Sequence, residues 1–163
     1  LIAFSDILTR VKTILNKDPI TFKDSLFKIC KLLKSESPYF DWVGFYFANH
    51  KEKVLVLESY AGNPTDHIKI PFGKGICGQV AVSNKNFIVP NVCDQQNYIS
   101  CNINVKSEVV VPIFLKGHNI GQIDVDSNSL NSFSERDVKL LESVCELISV
   151  KMKKSKITMY EFN

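Results

Sequence analysis

The chain has 163 residues, of which 45% are hydrophobic and 23% are charged, a composition typical of one globular domain. The net charge of +3 is mild, and the C-terminal lysines are interpreted as a solvated helix end rather than a nucleic-acid patch. No apolar run reaches the ~20 residues of a membrane span. Five cysteines without disulfide-framework spacing favour a reducing, cytoplasmic location. We therefore expect no nucleic-acid partner and no membrane partner.

Two helices are predicted before the first strand and one after the last. Apolar spacing predicts a helix from Ile2 to Leu15, and Thr21 is typical of the cap of a second helix that ends before Pro38. Ser134 begins the final helix. We expect one domain over residues 1–163. Its parts are N-terminal helices in 2–37, a sheet with the active site in 40–127 and a C-terminal helix at about 134–153.

Short β-rich runs separated by turn residues occupy the middle of the chain. They are predicted as strands at 40–47, 54–57, 67–72, 87–89, 108–115 and 120–125, with a short helix at 76–82. This order predicts an α+β domain with a mostly antiparallel central sheet and helices packed on one face.

The first strand carries two aromatic residues around a glycine. Trp42, Gly44 and Tyr46 share one face, because strand side chains alternate. They would form a flat-walled slot if that face is open, or ordinary core if it is packed. The sequence leaves these two interpretations equally open.

Three cysteines lie outside apolar runs, whereas Cys30 and Cys145 lie in buried helical stripes and are interpreted as structural. Cys93 and Cys101 belong to a polar, turn-rich segment, and Cys77 lies in the glycine-rich run GKGICG. That run matches a dinucleotide fingerprint, but it lacks the long parallel strand and the acidic residue that nucleotide binding requires. A redox role for the three cysteines is slightly favoured over an incidental one.

Three carboxylates lie in or beside apolar strands. Asp124 and Asp126 alternate with Ile123 and Val125, so both face the same side. Glu108 enters the apolar run Val109–Val111. Neighbouring acids raise one another's pKa, which suits a proton donor near neutral pH, and they would also hold an ammonium group. The alternative for Asp126 is that it only begins the following turn.

Five motifs occur in the order and approximate spacing of a known family. They are WVGFY at 42–46, PFGKGICG at 71–78, ISC at 99–101, SEVVVP at 107–112 and IDVDS at 123–127. In these motifs, which span roughly residues 40–148, the chain resembles the free methionine-(R)-sulfoxide reductases. Those enzymes consist of a single GAF domain, so the resemblance implies a GAF-like fold.

The resemblance implies a role for each matching residue. Cys101 falls on the catalytic cysteine, whose thiolate attacks the sulfoxide sulfur, releases methionine and becomes a sulfenic acid. A second cysteine then forms a disulfide, which thioredoxin reduces. Trp42 and Tyr46 fall on the aromatic pocket for the methyl-sulfur end of the substrate.

The same resemblance assigns the carboxylates. Glu108, Asp124 and Asp126 fall on the groups that bind the substrate and that hydrogen-bond or protonate the sulfoxide oxygen. No bound cofactor and no metal are expected, and thioredoxin is the expected electron donor. Homodimerisation through the N-terminal helices is left open.

The chain departs from the family at three positions. His67 stands where many members have a resolving cysteine, so Cys77 becomes the favoured resolving thiol. Cys93, where the family commonly has histidine, is the alternative. Asn102 replaces an aspartate and removes a negative charge, which eases thiolate formation.

Two rival functions are weighed against the reductase. A GAF sensor would bind a small ligand without turnover; the short chain and the retained cysteines argue against it. A thiol switch without a dedicated substrate would not require the acidic pair and the Trp42/Tyr46 face.

Overall fold

The computed structural model of the protein describes residues 3–96 and 104–160. The helices are α1 (Phe4–Leu15), α2 (Phe22–Glu36), α3 (Gly75–Ser83) and α4 (Glu135–Ser155). The strands are β1 (Trp42–Asn49), β2 (Val54–Ala61), β3 (Lys69–Pro71), β4 (Phe87–Val89), β5 (Ser107–Leu115) and β6 (His118–Ser127). A 3-10 helix covers Val92–Asp94. Within the described ranges, no helix has the length and apolar character needed to cross a membrane.

The six strands form one antiparallel sheet in the order β3-β2-β1-β6-β5-β4. The central pair, β1 and β6, therefore has neighbours on both sides. This architecture confirms the α+β fold class predicted from the order of the elements.

One face of the sheet forms the main hydrophobic core. Val43, Phe45 and Phe47 alternate along β1 and are almost completely buried on this face. The apolar stripes of α1, α2 and α4 pack against them, and each large side chain buried in this way contributes about 1.5–3 kcal/mol. The opposite face of the sheet carries a second, smaller buried cluster.

The helix ends agree with the predicted caps. The side chain of Thr21 accepts a hydrogen bond of 3.0 Å from the backbone N–H of Asp24 at the start of α2. At the start of α4, the Asp137 carboxylate accepts from the backbone N–H of Ser134 at 2.8 Å. Both caps satisfy N–H groups that have no partner within a helix, and both predicted starts are confirmed.

The short helix α3 lies on the opposite face of the sheet. Its residues Ile76, Cys77 and Val80 are buried there, in a second cluster with Trp42. The expected placement of helices on one face holds for α1, α2 and α4, and α3 is the exception. Gly78 makes this docking feasible, because a Cβ at that position would lie 2.5 Å from the carbonyl oxygen of Pro71 in β3.

Candidate active site

The register of three central strands aligns the predicted site residues on the face that α3 covers. Trp42 of β1 lies opposite Asp126 of β6, and Asp126 lies opposite Glu108 of β5. In the next row on the same face, Gly44 lies opposite Asp124. The register therefore brings three carboxylates and an indole from three separate motifs next to one another.

The six-membered ring of the Trp42 indole lies next to Gly44 of the same strand. A Cβ at Gly44 would come within 2.2 Å of the indole, so only glycine leaves room for it. The indole also stacks on Tyr60, with ring centroids 5.5 Å apart and an interplanar angle of 17°. Its N–H donates a 3.1 Å hydrogen bond to the carbonyl oxygen of Asn63. These contacts hold the ring in one orientation.

Tyr46 is fully buried, and its hydroxyl donates a 2.9 Å hydrogen bond to the carbonyl oxygen of His67. Its ring lies 6.4 Å from that of Trp42, centroid to centroid. Of the two interpretations left open by the sequence, burial favours core packing for Tyr46. Trp42 instead lines a cavity and serves as a wall.

A thiol and two carboxyl groups meet under α3 and form what we call the acid–thiol cluster: Cys77, Glu108 and Asp124. One ligand atom from each lies within 4.8 Å of the others, and all three residues are buried. The Cys77 Sγ lies 3.9 Å from the Glu108 Oε1. Neither carboxylate oxygen of Asp124 has a hydrogen-bond partner among the described residues, although Asp124 is only 1% exposed.

The carboxyl groups of this face hold their protons more strongly than ordinary acids. Burial raises the pKa of Asp124 to about 7. Burial also raises the pKa of Glu108 well above its usual value, and the negative charges of Asp124 and Asp126 add to the effect. The pKa of Asp126 is raised by burial and then by Asp124 and Asp41. Groups this close titrate as a set, so protonated carboxyl groups are available near neutral pH.

This arrangement suits transfer of a proton to an oxygen bound beside a thiol. The donor set of the acid–thiol cluster, one sulfur and two carboxyl groups, would also suit a borderline-soft dication such as Zn²⁺. The structure does not test the expectation of no metal and no bound cofactor, which stays a prediction.

The cysteines other than Cys77 differ in burial and in their distance from the acid–thiol cluster. Cys30 and Cys145 are buried in the main core, and burial raises the pKa of both thiols. Cys93 is exposed on the 3-10 helix and is not part of the acid–thiol cluster. The predicted nucleophile Cys101 and its neighbour Asn102 lie outside the residues that the structure describes.

A cavity of ≈ 420 Å³ opens beside Trp42 and Asp126. Its lining also contains Asp41 and Lys34, two charged residues that sequence reasoning did not single out. Asp41 directly precedes Trp42, which is a usable signal, but Lys34 belongs to α2 and no motif points to it. A much smaller space of ≈ 10 Å³ lies beside Cys77 and His67.

Comparison with known proteins identifies the domain family. The GAF domain family model matches residues 28–152. "GAF domain-containing protein A" of Dictyostelium discoideum is 39% identical over 124 residues, covering 76% of this chain and 77% of that protein. The "free methionine-R-sulfoxide reductase" of Saccharomyces cerevisiae is 36% identical over 118 residues, covering 71% and 65% of the two chains.

Among solved structures, the free methionine-R-sulfoxide reductase of Neisseria meningitidis in complex with its substrate superimposes with a TM-score of 0.86. The two sequences are 29% identical, and the match covers 94% of this chain and 90% of that one. The chain therefore belongs to the GAF-domain family, and within that family to the free methionine-R-sulfoxide reductases.

Proposed function

We propose that the protein reduces free L-methionine (R)-sulfoxide to methionine by cysteine chemistry and is recycled by thioredoxin. One observation carries the proposal: a buried thiol, Cys77, lies 3.9 Å from the carboxyl oxygen of Glu108 in the row that contains Trp42. The names of the yeast and Neisseria relatives support the same substrate.

The chemical step requires a nucleophile and a proton donor. The Cys101 thiolate attacks the sulfoxide sulfur while a protonated carboxyl group of Glu108 or Asp124 donates a proton to the sulfoxide oxygen. The substrate S–O bond and the new bond between the two sulfurs then break as the protonated oxygen bonds to the Cys101 sulfur, so methionine leaves and Cys101 becomes a sulfenic acid. The substrate sulfur gains the two electrons that the cysteine sulfur loses. Trp42 suits the methyl-sulfur end, because the sulfur of a methionine thioether makes favourable contacts with aromatic rings.

Resolution requires a second thiol. The Cys77 thiol condenses with the sulfenic acid, water leaves, and a Cys77–Cys101 disulfide forms. The dithiol of thioredoxin reduces this disulfide by exchange. The burial of Cys77 among Glu108 and Asp124 supports it as the resolving thiol, whereas the exposed Cys93 has no comparable setting.

The experiment measures methionine release and thioredoxin-dependent turnover separately. Reduced protein without an external reductant is mixed with each epimer, and the methionine released is quantified. Turnover is then followed as NADPH oxidation with thioredoxin and thioredoxin reductase. The panel is wild type, Cys101→Ser, Cys77→Ser and, as the matched cysteine control, Cys93→Ser.

We expect wild type to release about one equivalent of methionine from the (R) epimer only. Cys101→Ser should release none, Cys77→Ser should release methionine once but not turn over with thioredoxin, and Cys93→Ser should behave as wild type. Release from neither epimer by folded, reduced protein would contradict the reductase and favour a ligand-binding GAF sensor. Loss of thioredoxin turnover in Cys93→Ser alone would assign resolution to Cys93.

A further inference from the structure

The ≈ 420 Å³ cavity beside Trp42 carries charges of both signs. Asp126 and Asp41 supply two carboxyl groups, and Lys34 supplies an ammonium group. A free amino acid has the same two charges next to each other, on its α-amino and α-carboxylate groups. The cavity therefore has partners for a zwitterion.

The two acids occupy fixed positions. Asp126 is 2% exposed within β6, and the backbone N–H of Asp41 donates a 2.9 Å hydrogen bond to the carbonyl oxygen of Asp126. The Asp41 side chain accepts a 2.7 Å hydrogen bond from the backbone N–H of Asn128. Two acids held this close to each other repel when ionised, and a bound ammonium group removes that repulsion.

Two cations on the N-terminal helices are paired with carboxylates. Lys23 of α2 pairs with Glu58 at 3.5 Å, and Arg10 of α1 pairs with Glu36. Lys34 lies exposed in the last turn of α2 and makes no ion pair within the part of the chain that the structure describes. It is a cation at the rim of a cavity whose other charges are negative.

We propose that Lys34 binds the α-carboxylate of a free amino acid whose α-amino group lies against Asp126 and Asp41. This inference rests on the proposed function, and it assigns a residue to the selection of free substrate. Asp126 lies next to Glu108 across one strand spacing, about 4.8 Å, so a side chain extending from this head group points toward the acid–thiol cluster.

The arrangement has a consequence for specificity. A methionine sulfoxide within a protein has amide groups in place of both charges, so it would leave Asp126 and Lys34 without partners. Desolvating such charges without compensation costs binding free energy. Lys34 therefore discriminates against peptide-bound substrate.

Equilibrium binding tests this without relying on turnover. Trp42 is the only tryptophan of the chain and lines the cavity, so its fluorescence reports occupancy. The ligands are L-methionine (R)-sulfoxide and its α-carboxamide, which lacks the carboxylate. The variants are Lys34→Met, Lys34→Arg and Lys28→Met, the last being an exposed lysine of α2 that does not line the cavity.

We expect Lys34→Met to weaken binding of the acid by about three- to tenfold, the effect of one charged contact at a partly solvated rim. Binding of the amide should be unchanged, Lys34→Arg should restore most of the affinity, and Lys28→Met should match wild type. In turnover assays, KM for the acid should rise while kcat changes by less than about twofold.

Each outcome has one meaning. Equal weakening of acid and amide, or no weakening of either, overturns the role of Lys34. Failure of wild type to bind the acid also overturns it. Binding with the expected variant pattern but without methionine release supports the Lys34 site and contradicts the reductase function, so the two proposals fail separately.

Discussion

The indole of Trp42 occupies the space that a side chain at position 44 would fill. A Cβ on Gly44 would lie 2.2 Å from Cη2 and 2.5 Å from Cζ3 of the indole. One residue thus provides the cavity wall, and the absence of a side chain two positions away provides room for it.

Replacing Gly44 with alanine should displace the indole. We expect Gly44→Ala to lower the free energy of unfolding by about 1–3 kcal/mol, the usual cost of overpacking, and to weaken ligand binding. Denaturant unfolding measures the change. The matched control is the same substitution in a Trp42→Ala background, where the clash is absent and the cost should fall below about 1 kcal/mol. Equal costs in both backgrounds would contradict the contact.

The rate of methionine release should fall as pH rises through neutrality. The pKa of Asp124 is raised to about 7 by burial, so its protonated form, the proposed proton donor, is lost above that pH. We expect the pH profile of the single-turnover rate of wild type to have a limb that descends above about pH 7. Asp124→Asn should release methionine more slowly and lose or shift the limb.

The neighbouring carboxyl provides the comparison for the pH profile. Glu108→Gln removes the other acid of the acid–thiol cluster, whose pKa is also raised. If the limb is unchanged in both Asp124→Asn and Glu108→Gln, the proton comes from elsewhere and the donor assignment is wrong.

Folding stability should depend on the same groups with a defined sign. A carboxyl whose pKa is raised on folding stabilises the fold below its ordinary pKa, and this stability is lost as pH rises through the folded value. For Asp124, that window runs from about 4 to about 7. Asp124→Asn should therefore be more stable than wild type at pH 8, by on the order of 2–4 kcal/mol, and similar to it at pH 4.

Thermal unfolding at the two pH values checks this expectation. The control is Asp66→Asn, an exposed aspartate in the loop before β3, which should change stability little at either pH. A destabilised Asp124→Asn at pH 8 would show that ionised Asp124 is stabilised by interactions absent from the described contacts.

The core cysteines should be inert toward thiol reagents in the native protein. Cys30 and Cys145 are 0% and 5% exposed, and burial raises the pKa of both thiols. Only the thiolate reacts. We expect neither to be labelled by a disulfide reagent until the protein is unfolded in denaturant, whereas the exposed Cys93 is labelled at once. Peptide mapping of the labelled sites distinguishes them, and rapid labelling of Cys30 or Cys145 would contradict their structural role.

Much of the fold follows from local patterns. Thr21 and Ser134 mark helix starts because capping involves residues three apart, and α4 begins within one residue of its prediction. The alternation of Trp42, Gly44 and Tyr46 correctly predicts a shared face. The opposite placement of α3 did not follow from the sequence, because its run of buried residues has no polar side that would indicate which face of the sheet it covers.

The sequence by itself determined which side chains share a face, because the periods of strands and helices are local. The sequence also showed that the carboxylates of Glu108, Asp124 and Asp126 lie in or beside apolar strands. Only the tertiary structure decided that Asp126 lies between Trp42 and Glu108 and that Lys34 reaches the same cavity. Register and helix docking depend on which distant segments become neighbours, and the burial that raises the pKa of these acids exists only after they have packed together.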